Sequence, residues 1–190
     1  MKPVAERLAA ALLLLTACAC NGDEKPHRSF VIRVNANIQQ FGGWDINRSP
    51  TFEAAIAAFG EPSRCRLRYG TTSWSEAEWR PLGVRAVFTS LAGFPKGKDA
   101  CSEKDKVVVD LLFVTGRRWR SSTGLRIGHS TTRLRALYAS ATHHAVFSGP
   151  FEKIRGSYWS IAETRYSALM ARMRNGKVGS FVARPAAEGD

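Results

Sequence analysis

The chain has 190 residues, of which 28 are Lys or Arg and 16 are Asp or Glu, so its formal net charge at pH 7 is +12. This length is sufficient to bury a proper core, as one domain or as two fused half-domains. The longest apolar run, residues 8–15, is far shorter than the roughly 20 apolar residues that a membrane-spanning helix needs, so no such helix is expected.

The N-terminus has the pattern of a targeting segment. Two basic residues, Lys2 and Arg7, are followed by the apolar run and then by Leu15-Thr16-Ala17-Cys18. This last stretch resembles the lipobox of bacterial lipoproteins, which are cleaved before a cysteine whose thiol then carries a diacylglycerol. We expect a signal peptide over residues 1–17, lipidation at Cys18, and a polar tether over residues 18–29.

The alternative is an ordinary secretory signal cleaved near Ala17 or Ala19, in which Cys18 and Cys20 have no role. Either reading predicts export, as a lipoprotein anchored to the cell membrane or as a secreted protein. Contact with the membrane is expected only through the N-terminal lipid.

Cys65 and Cys101 are the other two cysteines. Export to an oxidising compartment favours a disulfide between them over two free thiols. A zinc site is disfavoured because neither cysteine has a partner at metal-ligand spacing.

The first half of the chain predicts a short helix followed by strands. After a weak strand in "SFVIRVNANI" and a loop in "FGGWDINRSP", the stretch "SPTFEAAIAAFGEP" predicts a helix. Ser49 or Thr51 would cap it, Pro50 would lie in its first turn, and Gly60 with Pro62 would end it.

Strict alternation in "SRCRLRY" then predicts a half-buried strand. It places one row of side chains, Arg64, Arg66 and Arg68, on the solvent side and the other row, Cys65, Leu67 and Tyr69, on the inner side. "GVRAVFTSL" and "KVVVDLLFV" predict two more strands, and the second is apolar enough to be central in a sheet.

The second half repeats this order. "GLRIGHSTTRLRALYA" predicts a helix capped by a serine or threonine, and residues 130–139 align without a gap to residues 51–60, so its end is expected at Tyr138-Ala139. "HHAVF" and "YWSIA" predict strands, and "SALMARMRNGKVGSFVAR" predicts a hairpin that turns at Asn175-Gly176. We therefore expect an α+β fold of two tandem repeats, each a short helix packed on an antiparallel sheet. The repeats would cover residues 30–115 and 116–184, followed by a flexible tail over residues 185–190.

Several stretches carry a resemblance: "SPTFEAAIAAFGEPSRCRLRY", "LGVRAVFTS" and "WRSSTGLRIGHSTTRLRALY". Together they resemble a group of uncharacterised secreted proteins and lipoproteins of actinobacteria. In architecture the chain is remotely similar to the beta-lactamase inhibitor protein and to the small lipoprotein of the outer-membrane assembly machinery. Both of those act by binding other proteins, so the resemblance implies a binding function and gives no site residue.

The search for catalytic or metal-binding motifs gives no constellation, so no enzyme activity, cofactor or metal is expected. Glu76 and Glu78 are predicted in a loop or short turn, without a partner across a cleft. His143 and His144 are adjacent in a strand and would point to opposite faces. Asp110, inside an apolar strand, is predicted to be a buried charge paired with an arginine.

Twenty of the 28 basic residues are arginine, which holds phosphate and carboxylate in a planar fork. The row of Arg64, Arg66 and Arg68 is therefore the candidate binding site for an anionic or protein partner, although an arginine-rich coding bias would also produce it. Two functions remain: a non-catalytic envelope protein that binds another protein through a sheet face, or an electrostatic binder of anionic cell-surface polymer or lipid headgroups. Nucleic acid is not an expected partner of an exported protein.

Overall fold

The computed structural model describes residues 29–34, 39–69, 73–90, 92–148, 153–163 and 168–185. The predicted signal peptide, Cys18, nearly all of the tether and nearly all of the tail lie outside these residues. Within them the chain is α+β, with two helices and two sheets. The strands are β1 (Val31–Val34), β2 (Gln39–Phe41), β3 (Trp44–Asp45), β4 (Arg64–Tyr69), β5 (Ser73–Trp79), β6 (Val84–Thr89), β7 (Val108–Val114), β8 (Arg120–Ser121), β9 (Thr142–Ser148), β10 (Lys153–Glu163), β11 (Ala168–Arg174) and β12 (Lys177–Arg184); the helices are α1 (Phe52–Phe59) and α2 (Thr131–Leu137).

The larger sheet has eight antiparallel strands in the order β4-β5-β6-β7-β12-β11-β10-β9. The two central strands, β7 and β12, pair through the register Phe181↔Val114 and Ala183↔Leu112. The apolar stretch "KVVVDLLFV" is therefore central, as its composition predicts, and its apolar side chains are buried on both faces of the sheet.

The smaller sheet has the order β3-β2-β1-β8, in which β1 pairs antiparallel with β2 and parallel with β8. The sequence predicts a loop over residues 41–50. This prediction is wrong for residues 41–45, because β2 and β3 form a hairpin in which Phe41 pairs with Trp44. Both side chains are buried, and Gly42 supplies the positive φ of the turn. Burial of two aromatic rings stabilises a hairpin too short to show a clear alternation in the sequence.

Helix α1 begins at a threonine cap, where Thr51 Oγ1 accepts a hydrogen bond of 3.2 Å from the Ala54 backbone N–H. Pro50 lies before this cap, and not in the first turn as expected. Gly60 ends the helix at φ 78°, and its N–H donates to Ile56 O at 2.7 Å. These contacts satisfy backbone groups that a helix end leaves open.

Helix α2 is capped by Ser130, whose Oγ accepts from the Arg133 backbone N–H at 3.2 Å. Its last helical residue is Leu137 and its C-cap is Tyr138, one residue before Ala139, which aligns with the C-cap Gly60 of α1. The predicted capping by a serine or threonine is confirmed.

The hairpin between β11 and β12 turns at the predicted dipeptide. Asn175 and Gly176 both have positive φ, at 52° and 72°. This is the geometry of the two-residue turns that match the right-handed twist of paired strands.

The main core lies between the large sheet and the layer formed by the helices and the small sheet. Its largest buried side chains include Phe41, Trp44, Phe52, Phe88 and Trp119. A second hydrophobic cluster lies on the opposite face of the large sheet, and its buried members all come from the strands of that sheet: Val87, Leu111, Phe113, Tyr158, Ala168, Met170 and Val182. We refer to this side as the outer face.

Candidate functional site

The arginine row lies on the outer face, and two glutamates of the next strand face it. Arg64 pairs with Glu78 at 2.8 Å, and Arg68 pairs with Glu76 at 3.2 Å. Glu76 and Glu78 belong to β5, so the expected loop is wrong. The alternation in "SWSEAEW" carried the signal for a strand, because its small and aromatic residues at 75, 77 and 79 are all buried.

Two further arginines complete this ion-pair network. Arg85 approaches Glu76 at 2.9 Å, and Arg80 approaches Glu78 at 3.3 Å. The hydrogen bond from Arg64 is the main cause that holds the pKa of Glu78 below its usual value, with Arg80 adding to it and desolvation opposing it. The glutamates therefore neutralise part of the charge that the sequence assigns to the row.

The exposure of the row is lower than expected. Arg64, Arg66 and Arg68 are all half-buried, with 37% of the Arg64 side chain and 41% of the Arg68 side chain exposed. Tyr69, which alternation placed on the inner side, is 70% exposed. It is the last residue of β4, which is an edge strand, so too few neighbours are present to cover its ring.

The predicted disulfide between Cys65 and Cys101 is present. It joins β4 to the loop before β7 and closes a sequence separation of 36 residues, which the chain-entropy treatment of disulfides values at about 4 kcal/mol. Asp99 Oδ1 shapes this loop by accepting from the backbone N–H groups of Cys101 and Ser102 at 3.1 and 3.2 Å. The buried Ser75 holds it to β5, since its Oγ accepts from the Ala100 N–H at 2.9 Å.

Within the part of the chain that the structure describes, the one compact group of potential metal ligands is Cys65, Asp99 and Cys101. Both sulfur atoms are in the disulfide and offer no thiolate. The group therefore does not suit a metal.

The second hydrophobic cluster is the most apolar feature of the outer face. Two arginines lie over its aromatic rings: Arg85 is 4.1 Å from the Phe113 ring centroid, and Arg172 is 5.7 Å from that of Tyr158. The rings beneath are shielded, with Phe113 8% and Tyr158 1% exposed. Cation–π contacts of this kind attract the guanidinium groups to the faces of the rings.

Asp110 lies at a β-bulge in β7. Val87 and Phe88 of β6 pair with Leu111 and Val109, so Asp110 has no residue opposite it. Its Oδ2 is buried and accepts no hydrogen bond from the described residues. Desolvation raises the pKa of Asp110 to about 6, and the charge of Arg184 opposes that rise.

His143 and His144 lie in β9 at consecutive register positions, and their partners on β10 are Trp159 and Tyr158. The two rings contact different groups: His143 Nε2 is 2.9 Å from Ser157 Oγ, and His144 Nε2 is 3.1 Å from Thr142 Oγ1. The two imidazole rings therefore share no hydrogen-bond partner among these contacts.

Two cavities adjoin the small sheet, and the sequence analysis predicted neither of them. One, of about 680 Å³, lies between α1 and the small sheet and is lined by residues that include Trp44, Phe59 and Trp119. The other, of about 530 Å³, is lined by residues 29–31 together with four arginines: Arg117, Arg118, Arg120 and Arg126. The basic run "RRWR" was a signal for the second cavity, but Arg126 reaches it only through the fold.

The comparisons with known proteins give two similar solved structures. One is a DUF4309 family protein (YjgB) from Bacillus subtilis, with 17% sequence identity and a TM-score of 0.43 over 78% of this chain and 88% of that chain. The other is the uncharacterized protein yfeY from Escherichia coli, with 9% identity and a TM-score of 0.43 over 81% of this chain and 97% of that chain. No family model and no curated protein matches the chain. The expected resemblance to the beta-lactamase inhibitor protein and the assembly lipoprotein is not shown.

No helix among the described residues combines the length and the apolar character needed to cross a bilayer.

Proposed function

We propose that this protein is a non-catalytic, exported or lipid-anchored envelope protein that binds another protein through the outer face of its large sheet. The observation that carries the proposal is the second hydrophobic cluster with Arg85 and Arg172 stacked on its aromatic rings. Aromatic residues and arginines are enriched where protein interfaces concentrate their binding energy. The helices and the strands of the small sheet contribute their buried apolar side chains to the main core, on the opposite face of the large sheet.

The tandem repeat is part of this proposal. Each half runs from a capped helix into four antiparallel strands, β4 to β7 and β9 to β12. The sheet order places the last strands of the two halves side by side at its centre and the first strands at its two edges. Two repeats related in this way, over residues 30–115 and 116–184, would join their outer faces into one surface wide enough for a protein partner.

A second candidate function is electrostatic binding of an anionic cell-surface polymer or lipid headgroup. The net charge of +12 favours it. The row of Arg64, Arg66 and Arg68 supports it less strongly, because Glu76 and Glu78 hold two of the three arginines in ion pairs.

The test is a cross-linking pull-down from the native envelope at physiological salt, which weakens contacts made by charge alone. We expect the wild-type chain to capture one specific protein. Arg172→Glu should abolish its capture, because this exposed residue lies over Tyr158. Arg133→Glu, an equal charge change at an exposed position on α2, should retain it.

Equal loss with both variants would contradict the proposal of a sheet-face contact. Capture only at low ionic strength, with anionic polymer in place of a protein, would support the electrostatic function instead.

A further inference from the structure

The cavity lined by Arg117, Arg118, Arg120 and Arg126 differs from every other arginine cluster described above. Among the residues that the structure describes, no acidic residue lines it. Within the described ranges, none of its four guanidinium groups lies within 4.0 Å of a carboxylate, whereas Arg64, Arg68, Arg80 and Arg85 all do. We refer to it as the arginine pocket.

Arg118 makes two contacts that position its guanidinium group at the cavity. Its Nη2 donates to Pro81 O at 3.0 Å, and its guanidinium lies 4.2 Å from the centroid of the Phe30 ring. Phe30 packs edge-on against Trp119, with 5.3 Å between the ring centroids. Trp119 is 1% exposed and donates from Nε1 to Leu82 O at 2.8 Å. One arginine of the pocket is thus positioned by a hydrogen bond and a cation–π contact without any ligand.

The backbone brings two more arginines face to face. Arg120 is paired to the start of β1, where its N–H donates to Phe30 O at 3.0 Å. An isolated antiparallel bridge joins Arg120 to Arg126. Residues directly opposite in such a pair have Cβ atoms about 4.5–5.5 Å apart, and like charges there destabilise the fold. An anion between the two side chains would remove that repulsion.

We propose that the arginine pocket binds a multiply charged phosphate group. The planar fork of each guanidinium matches two oxygens of a phosphate. Four guanidinium groups that have no ion-pair partner among the described residues favour a group with two or more negative charges over a single carboxylate. A cavity of about 530 Å³ accommodates a pyrophosphate-sized group, within the range of volumes usual for ligand sites. This inference does not depend on the proposed protein contact, because the pocket belongs to the edge of the small sheet.

The probe is inorganic tripolyphosphate, titrated calorimetrically into the full chain at physiological salt. Replacing three exposed arginines, in Arg117→Gln/Arg120→Gln/Arg126→Gln, should weaken binding about tenfold or more, because each loses a charge-assisted hydrogen bond. Arg118 is retained because it also contacts Pro81 and Phe30. The control Arg133→Gln/Arg135→Gln/Lys177→Gln removes the same charge from exposed positions on α2 and β12 and should leave the affinity within about twofold.

A second measurement does not depend on the variants folding. Phenylglyoxal modifies accessible arginines, and tripolyphosphate should protect residues 117–126 in the wild-type chain while Arg133 and Arg135 stay reactive. Equal weakening by the triple variant and its control, uniform protection, or no binding by the wild type would overturn the proposal.

A third arm identifies the source of the phosphate. The same proteins are mixed with vesicles of phosphatidylglycerol and with neutral phosphatidylcholine vesicles. Binding to the anionic vesicles that the triple variant loses would assign a lipid headgroup. Binding to tripolyphosphate without vesicle binding would assign a soluble or polymeric phosphate.

Discussion

Asp110 is an acidic residue in the most apolar strand of the protein, and its position at a bulge explains how the strand tolerates it. The bulge leaves Asp110 without a partner on β6, next to the charge of Arg184. The predicted buried charge is thus half-buried, and desolvation is the main influence on its pKa. Alternation alone could not reveal the bulge, because one extra residue in a run of valines and leucines leaves no mark in the sequence.

We predict that Asp110 makes the protein less stable as the pH rises. Its pKa is about 6 in the folded chain, against 3.8 for an ordinary aspartate, so between these values the folded state holds a proton that the unfolded state has lost. Stability should therefore fall from about pH 4 to about pH 6 and then level off. Asp110→Asn should remove this fall and raise the free energy of unfolding at pH 7 by about 1–2 kcal/mol, after allowance for solvent screening.

The measurement is urea unfolding of both proteins at several pH values from about 4 to about 8, the range that spans both pKa values. The matched control is Asp105→Asn, at an exposed position, which should keep the wild-type pH profile. A parallel pH profile for Asp110→Asn and the wild type would show that Asp110 is not the group responsible.

The ion pairs of Arg64 and Arg68 also depend on contacts that alternation along one strand does not predict. The alternation in "SRCRLRY" correctly predicted a strand and a shared face for Arg64, Arg66 and Arg68. It could not predict that Glu78 and Glu76 would pair with two of them, because those partners lie 14 and 8 residues away and the register of β4 against β5 brings them together.

Among the contacts between strands, Gly83 and Gly116 lie close together where the start of β6 meets the end of β7. Gly83 O accepts hydrogen bonds from the N–H groups of Thr115 and Gly116 at 2.7 and 3.2 Å. A Cβ on Gly83 would overlap the backbone N and Cα of Gly116, closer than any real contact allows. Gly83 also has a φ of 62°, so both the space and the backbone conformation require glycine.

Gly83→Ala should therefore destabilise the protein by about 3 kcal/mol, as a sum of backbone strain and a steric clash. Gly97→Ala is the matched control, because Gly97 has a similar φ of 76° and open space around its Cα. That substitution should cost only about 1 kcal/mol. Denaturant midpoints of the two variants provide the comparison, and equal losses would mean that the clash is relieved by backbone movement.

The eight-stranded sheet contains strands from both halves of the chain and is continuous across them. The pairing of β7 with β12 joins the halves through apolar side chains on both faces, so neither half has its core to itself. Among the described residues, side chains from both halves of the chain contribute to one main core.

The N-terminal prediction also concerns the whole molecule, because it decides where the protein is held. We expect the mature chain to begin at Cys18, with a diacylglycerol on its thiol, since the preceding residues resemble a lipobox. Mass spectrometry of the membrane fraction should show this modified N-terminus. Cys18→Ser should prevent the modification, and Cys20→Ser is the matched control that should leave it intact. An unmodified N-terminus at Cys20 or later would contradict the prediction.

Local sequence patterns predict those features of the fold that depend on residues close together in the chain. The caps at Thr51 and Ser130, the turn at Asn175-Gly176 and the apolar strand β7 all follow from interactions within a few residues, so local patterns predicted them. Which arginines form ion pairs with glutamates depends on the tertiary structure. It brings glutamates to Arg64 and Arg68, and it gathers Arg118, Arg120 and Arg126 around a cavity to which no described acidic residue contributes. Pairing depends on strand register and on contacts between distant segments, and a linear sequence does not encode these in any local pattern.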